Sequence, residues 1–447
     1  MTRSKNTKST VRDAAPTGGP AADAPGGKRR VGPVVAASLA VGLVAAAALA
    51  VVAFAGAEEH VVTGTVLLAF SLGWALLAAG STLWTDQPQR WAAAPAGLMG
   101  LAGAGLLILA PGAAALQDLG WIWPPALLTL VVWMVIQARR RLRSRARRWL
   151  LYPVFGFLAL ASLGGVYETV GESLDRGALP AGGQLVDVGG HRLYLRCSGS
   201  GSPVVVLVAG LGESSSVWKT IAPAVARQTR VCSYDPAGRG WSEGATGSQD
   251  STQTVTDLRT LLSRAGEPGP YVLVGHSLGG PYVLGFAQQF PAQVAGVALV
   301  DSMTPYQFTK LPGYAGFYDG LRRVSGLLPS AARLGVGLIA GSGYGAREAR
   351  GFRDEVAGIP DALHHAQELE SIGDTPLIVV TAGRGQQAGW AAAQVDLSTL
   401  STNCTHRLVP GATHTSLLDD GADAAVSSRA IRDVVRSARA AKTLAKT

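Results

Sequence analysis

The chain has 447 residues, 48% of them hydrophobic, and a mean hydropathy of +0.24. That length suits two or three domains, and the apolar residues crowd before about residue 170, which argues against a wholly water-soluble protein. The net charge of +9 is equally uneven: residues 1–30 hold seven Lys/Arg and two acids, "ARRRLRSRARR" (138–148) holds seven arginines and no acid, and from Pro180 onward 23 basic residues face 21 acidic ones. The basic excess therefore sits beside apolar runs, the pattern of a membrane flank rather than of a nucleic-acid-binding surface.

Residues 1–30, polar and rich in Pro, Gly, Ala, Lys and Arg, read as a disordered tail. The apolar run from Val31 has no small-residue cleavage site and is followed by further apolar runs, so no cleavable signal is expected. Five candidate transmembrane spans follow, roughly 33–55, 61–84, 92–112, 121–137 and 149–167. Each approaches the 17–25 residues needed to cross about 30 Å of hydrocarbon. Trp84, Trp91, Trp121, Trp123 and Trp149 mark their ends, as an interfacial aromatic belt would. Lys28, Arg29 and Arg30 before the first span, and the arginine run between the fourth and fifth, both belong on the cytoplasmic side. Five crossings then carry everything downstream to the extracytoplasmic side of the plasma membrane.

Residues 171–183 read as a linker, and the pattern then changes. "QLVDVGG" and "HRLYLRC" suit an antiparallel hairpin. Short apolar strands follow at 203–209, "TRVCSYD", "YVLVG", 295–301, 376–382 and 406–410, alternating with helical stretches at 213–228, 251–264, 280–290 and 421–441. Such alternation implies an α/β fold, a mostly parallel sheet covered on both faces. Residues 302–360 interrupt it with Gly, Pro, Tyr and Phe, as a cap insertion above the carboxyl ends of the strands would.

The chemistry centres on "YVLVGHSLGG" (271–280). A strand leads into Gly275-His276-Ser277-Leu278-Gly279 and a helical stretch follows. That context puts Ser277 on a sharp strand-to-helix turn, with glycines where side chains would crowd it. A serine hydroxyl needs a base, and the base an orienting acid. In sites of this kind the chain order is Ser, acid, His. His414, in "PGATHTSLLDD", follows the last strand in a loop before the last helix, the place for the base. His276 is expected to point away from its neighbour Ser277. The loop "GRGQQAG" after 376–382 offers no carboxylate, which leaves Asp301, ending "GVALVD", as the favoured acid and Asp396 on "WAAAQVDLSTL" as its rival. The backbone N–H groups of Leu278 and of Leu211, in "VAGLGESS", are the candidate oxyanion donors.

With these pieces in hand, residues 184–440 resemble the serine-type α/β-hydrolase-fold proteins. The match rests on "VDVGGHRLYLRCSGSGSPVVVLVAGLG", "RVCSYDPAGRGWSE", "VGHSLGGPYVLGFAQQFPAQVAGVALVDS" and "PGATHTSLLD". The resemblance implies a Ser277–His414 pair, an acid at Asp301 as in some members, and a structural Asp235 in "DPAGRGWS". Ala209-Gly210 stands where the family commonly has His-Gly, and the aspartate nucleophile of related dehalogenases and epoxide hydrolases is absent. The fold also implies that the strands of Cys197 and Cys232 lie side by side, so a disulfide between them and a free Cys404 are expected on an oxidising side of the membrane. No metal cluster or cofactor motif is found. The expected function is a membrane-anchored serine hydrolase acting on an ester or amide of a small or lipid-like acyl substrate, with no nucleic-acid partner. An acyltransferase or aminopeptidase using the same residues is the close alternative, and a catalytically retired membrane sensor or scaffold the distant one.

Overall fold

The computed structural model describes residues 2, 30–142, 149–174, 179–245, 249–339 and 345–444. Nearly all of the expected N-terminal tail, Arg143 to Arg148 of the arginine run and residues 175–178 of the linker lie outside these. The first half is all helix: α1 (Val31–Ala48, extended by a π turn to Ala53), α2 (Glu59–Trp84), α3 (Ala93–Leu109), α4 (Ala113–Leu119), α5 (Trp123–Arg141) and α6 (Tyr152–Leu174). Among the described residues, four helices are long and apolar enough to cross a membrane, with a fifth candidate if α4 and α5, bent by 42°, count as one. The expected fourth span, 121–137, falls on α5, which meets α4 at that bend. Gly120 is among the few residues joining α4 to α5, and Pro124 and Pro125 open α5, where the first-turn N–H groups have no partner to lose.

Small residues bring these helices together, as is usual where no water drives association. A Cβ added to Gly42 of α1 would lie 3.2 Å from Gly73 Cα of α2. The outward surface is apolar, with Leu101, Ile108 and Leu109 at least three-quarters exposed. Trp84, Trp121 and Trp149 are likewise exposed. Trp91 is not: it is buried against Trp74, with ring centroids 6.0 Å apart, and its Nε1–H donates to Gln89 Oε1 at 2.8 Å. It belongs to the bundle core rather than to a belt.

The second half is built on an eight-stranded sheet: β1 (Gly183–Asp187), β2 (Arg192–Ser198), β3 (Val204–Val208), β4 (Val231–Tyr234), β5 (Tyr271–His276), β6 (Val294–Val300), β7 (Leu377–Ala382) and β8 (Cys404–Val409). Their order across the sheet is β1-β2-β4-β3-β5-β6-β7-β8. The β1–β2 and β2–β4 pairs are antiparallel and all others parallel. The central strands β3, β5 and β7 are buried along their whole length, which only a sheet covered on both faces allows. Helices α7 (Ile221–Ala226), α8 (Ser251–Arg264) and α9 (Gly279–Gln289) follow β3, β4 and β5. Leu258 and Leu261 of α8 and Val283 and Phe286 of α9 pack on one face; Ile221 and Val225 of α7 pack on the other.

The stretch 213–228, expected as one helix, is a 3₁₀ turn (Ser215–Lys219) and the short α7. Pro223, which has no N–H to return to Lys219, sits in the first turn of α7, where a proline costs least. The cap is helical: α10 (Gln307–Lys310), α11 (Tyr314–Arg333), α12 (Val336–Ile339) and α13 (Ala346–Gln367). It runs past the expected end at 360, because α13 continues through Pro360 with Ile359, Leu363 and Ala366 buried. Packing there outweighs one missing N–H. Helices α14 (Trp390–Ser398), α15 (Ser416–Asp419) and α16 (Gly421–Ala440) complete the chain; Ile431 and Val434 of α16 cover the same face as α7.

Cys197 and Cys232 stand directly opposite each other on β2 and β4 and form a disulfide. Cys404 is a free, half-buried thiol.

Candidate active site

The parallel strands deliver five loops to one edge of the sheet: Ala209–Glu213 after β3, Ser277 after β5, Asp301 after β6, Gly383–Trp390 after β7 and His414 after β8. The turn at Ser277 is tight. A Cβ on Gly275 would fall 2.6 Å from Gly280 Cα, and one on Gly279 would fall 2.3 Å from the Val208 carbonyl oxygen. Ser277 itself has φ +52°, a conformation costly for a non-glycine residue. Three backbone hydrogen bonds hold it there: the Ser277 carbonyl accepts from Gly280 N–H at 3.1 Å and from Met303 N–H at 2.9 Å, and the Ser277 N–H donates to the Val300 carbonyl at 3.4 Å. The residue is half-buried rather than packed away.

Asp301 is fully buried and also has a positive φ, +43°. Its Oδ2 lies 2.6 Å from His414 Nδ1 and accepts from Gln386 Nε2 at 2.9 Å. Its Oδ1 accepts from Ala382 N–H at 3.0 Å and Trp390 Nε1–H at 2.9 Å. Burial alone would raise this carboxyl, but the His414 hydrogen bond and charge, with the Trp390 and Ala382 donors, outweigh it and hold it below the ordinary aspartate value. Asp396 stands elsewhere: its carboxylate pairs with Lys310, and both side chains are well exposed. The indole of Trp390 also meets the His414 ring edge-on at 6.3 Å.

Two residues that the sequence reading gave no role tie the loops together. His276 does turn away from Ser277. Its Nδ1 lies 3.0 Å from Glu213 Oε2, its Nε2 lies 3.3 Å from the His414 carbonyl oxygen, and its ring centroid is 4.5 Å from that of His414. Glu213 Oε2 also accepts the Gly210 N–H at 2.7 Å. Burial pushes the Glu213 carboxyl up, while the hydrogen bond and charge of His276, the Gly210 N–H and the charge of His414 push it down further, so it sits below the ordinary value. Glu213 and His276 together thus link the loop after β3, the strand end before Ser277 and the backbone of His414. The one carboxylate in "GLGESSS" was the available signal.

Gly210 lies against the serine, since a Cβ there would be 2.8 Å from Ser277 Cβ. Gly212 N–H is taken by Glu355 Oε2 at 2.6 Å. Between these two glycines, Leu211 N–H donates to no group among the described residues, and neither does Leu278 N–H. Asp235 is buried and bonds backbone, accepting from Ser215 N–H at 2.6 Å and Trp241 N–H at 2.8 Å. A cavity of about 1620 Å³ opens from Gly210, Leu278 and Tyr282 toward His60 and Leu116 of the helical half. Cys197, Cys232 and Glu267 come within ligand distance of one another, but both sulfurs are in the disulfide and Glu267 pairs with Arg230.

Residues 203–327 match the family model described as the alpha/beta hydrolase fold. The second half of this chain has the α/β-hydrolase fold. Among curated relatives, an uncharacterized protein of Schizosaccharomyces pombe is 29% identical over 300 residues, 55% of each chain. A 2-hydroxy-6-oxo-2,4-heptadienoate hydrolase of Pseudomonas putida is 32% identical over 157 residues, 34% of this chain and 53% of that one. The chain spans between a fifth and a little over half of the length of the first curated relatives it matches. Among solved structures, the haloalkane dehalogenase DbeA of Bradyrhizobium elkani is 18% identical, with 58% of this chain and 99% of that chain covered and a TM-score of 0.48.

Proposed function

We propose that this protein is a membrane-anchored serine hydrolase that cleaves an ester or amide of an acyl substrate through an acyl-enzyme. The observation that carries the reading is the 2.6 Å contact of His414 Nδ1 with buried Asp301, on the same sheet edge as a serine at positive φ. In the reaction, Ser277 Oγ attacks the acyl carbon as His414 Nε2 takes its proton. Asp301 keeps the other ring proton on Nδ1 and balances the imidazolium that forms. The N–H groups of Leu211 and Leu278 receive the oxyanion. The imidazolium then protonates the leaving alcohol or amine. Water, activated by the same histidine, attacks the acyl-enzyme and releases the acid. An acyltransferase differs only in replacing that water with an acceptor alcohol or amine.

The helical half supports membrane anchoring, through its apolar spans and their exposed leucines and isoleucines. The Cys197–Cys232 bond supports an oxidising, extracytoplasmic side for the hydrolase domain. The test is a fluorophosphonate probe applied to membranes carrying the full chain. Wild type takes the label and Ser277→Ala does not, with an unchanged melting temperature. Labelling retained by Ser277→Ala sinks the assignment; a wild type that neither labels nor turns over acyl esters points to a retired domain.

A further inference from the structure

Cap helix α13 touches both halves of the chain within its first three turns. Helix α6 holds its start: Ala346 N–H donates to Glu168, and Arg347 N–H to Glu172 Oε1 at 3.0 Å. One turn on, Arg350 Nη1 meets Glu59 Oε2 of α2 at 3.1 Å. Glu59 is buried and pairs as well with Arg333 of α11, so it is a charge the fold cannot leave unpaired. Gly351 packs on the core, where a Cβ would fall 2.7 Å from the Gly238 carbonyl oxygen. In the third turn, Glu355 Oε2 takes the Gly212 N–H at 2.6 Å. From Ala346 to Glu355 is about 13 Å of helix axis, and Pro360 lies beyond it, so no kink intervenes.

The consequence falls on Leu211. Its neighbours are each fixed by a carboxylate, Gly210 by Glu213 within the loop and Gly212 by Glu355 from the cap. Gly212 has φ +74° and gains no rigidity from a side chain, and Glu355, itself 3.7 Å from Arg239 Nε, holds its N–H from the cap. We infer that α13 is a strut through which the transmembrane helices set the position of the Leu211 N–H, with Glu355 as its positioning residue. The inference rests on the serine-hydrolase reading above and gives the helical half a role beyond anchoring. Displacing an oxyanion donor by about 1 Å costs roughly 10²-fold in rate.

The experiment uses the full chain in detergent micelles with p-nitrophenyl butyrate, comparing Glu355→Leu, Glu355→Gln, Arg350→Met and the Glu355→Leu/Arg350→Met pair. Glu355→Leu lowers kcat about 10- to 100-fold, a loss no larger than a missing donor gives, with KM nearly unchanged. Glu355→Gln keeps an acceptor for Gly212 N–H and stays close to wild type. Arg350→Met, five residues before Glu355 on α13 and leaving Glu59 paired with Arg333, lowers kcat several-fold, and it adds nothing in the Glu355→Leu background. Wild-type kcat in Glu355→Leu, or losses that multiply in the double variant, overturns the strut. Should Glu355→Leu fail to fold, Arg350→Met decides alone: wild-type kcat there overturns it. Ser277→Ala is inactive in the same assay, and activity in that variant sinks the serine reading rather than the strut.

Discussion

Asp301→Asn is the sharpest test of the catalytic arrangement, because the substitution changes one atom and almost nothing else. Asparagine tolerates the left-handed φ of +43° that this position demands. Its Oδ1 keeps the N–H groups of Ala382 and Trp390, now at 3.0 and 2.9 Å. Its Nδ2 replaces the oxygen that faces His414 Nδ1 and Gln386 Nε2. Gln386 can turn its amide to offer an oxygen. His414 has no such remedy: an NH₂ group can bond Nδ1 only if that nitrogen carries no proton. The ring proton then sits on Nε2, the atom that must accept the Ser277 proton. A comparable change in a well-studied protease triad costs roughly 10⁴ in kcat, about 5 kcal/mol, whereas the fold loses only about 1–3 kcal/mol for one mismatched buried partner. Ester turnover by the full chain in micelles, with a thermal melt as control, measures both. Asp396→Asn breaks only a solvent-exposed pair with Lys310 and stays near wild-type rate. A well-folded Asp301→Asn within tenfold of wild type, or a larger loss from Asp396→Asn, refutes the reasoning.

Three further outcomes are expected. Glu213→Ala frees Gly210 N–H and His276 together, and slows fluorophosphonate labelling of Ser277 by about tenfold or more, within the range for a disturbed oxyanion donor; unchanged labelling would remove Glu213 from the site's support. Burial raises the Glu355 carboxyl from 4.5 to about 7, against the opposing pull of Arg239 and Gly212 N–H and with Asp354 and Glu213 adding to the rise. The folded state therefore holds the proton more tightly, and this contribution to stability is full below pH 4.5 and is lost as pH rises through about 7; wild type should lose more melting temperature than Glu355→Gln across that window, and parallel curves would contradict it. Finally, a cytoplasm-only reporter fused after Thr447 stays inactive in intact cells, and Cys197 and Cys232 alkylate only after reduction while Cys404 does so without it; an active reporter overturns the topology, and ready alkylation of all three thiols excludes the bond in the cell.

The parts of this protein legible in the sequence were those set by local rules. Gly275 and Gly279 announce the turn because a Cβ at either would collide with backbone, and strands such as "VVVLV" announce a sheet covered on both faces. The stretch 251–264 reads as a helix and is one, opened by Asp250, whose side chain accepts from Gln253 N–H. What stayed hidden depends on contacts across the chain. Nothing near Glu355 indicates that it meets Gly212, 143 residues away, and nothing near Glu59 indicates Arg350. Trp91 looked like a belt residue because its neighbours in sequence are a span end, yet its neighbours in space are Trp74 and Trp133. The cap reads as ending near 360, yet the buried residues around Pro360 carry α13 onward to Gln367.

The placement of charge along the spans gives the helical half a direction. Arg30, Arg90 and Arg139 to Arg141 lie at the ends where α1 begins, α3 begins and α5 finishes. The opposite ends carry Glu58, Glu59, Glu168 and Glu172, and it is there that the cap docks: Arg322 Nη1 donates to the Ala55 carbonyl at 3.0 Å, the guanidinium groups of Arg333 and Arg350 meet Glu59, and the backbone N–H of Arg347 donates to Glu172. Arginines are retained on the cytoplasmic side, whereas glutamates have little influence on orientation. In the proposed topology the acidic rim lies on the far side, and Arg333 and Arg350 of the cap supply the countercharge for Glu59. The same pairing that seats the hydrolase domain on the spans also fixes α13, so attachment and the geometry of the loop beside Ser277 follow from one set of contacts.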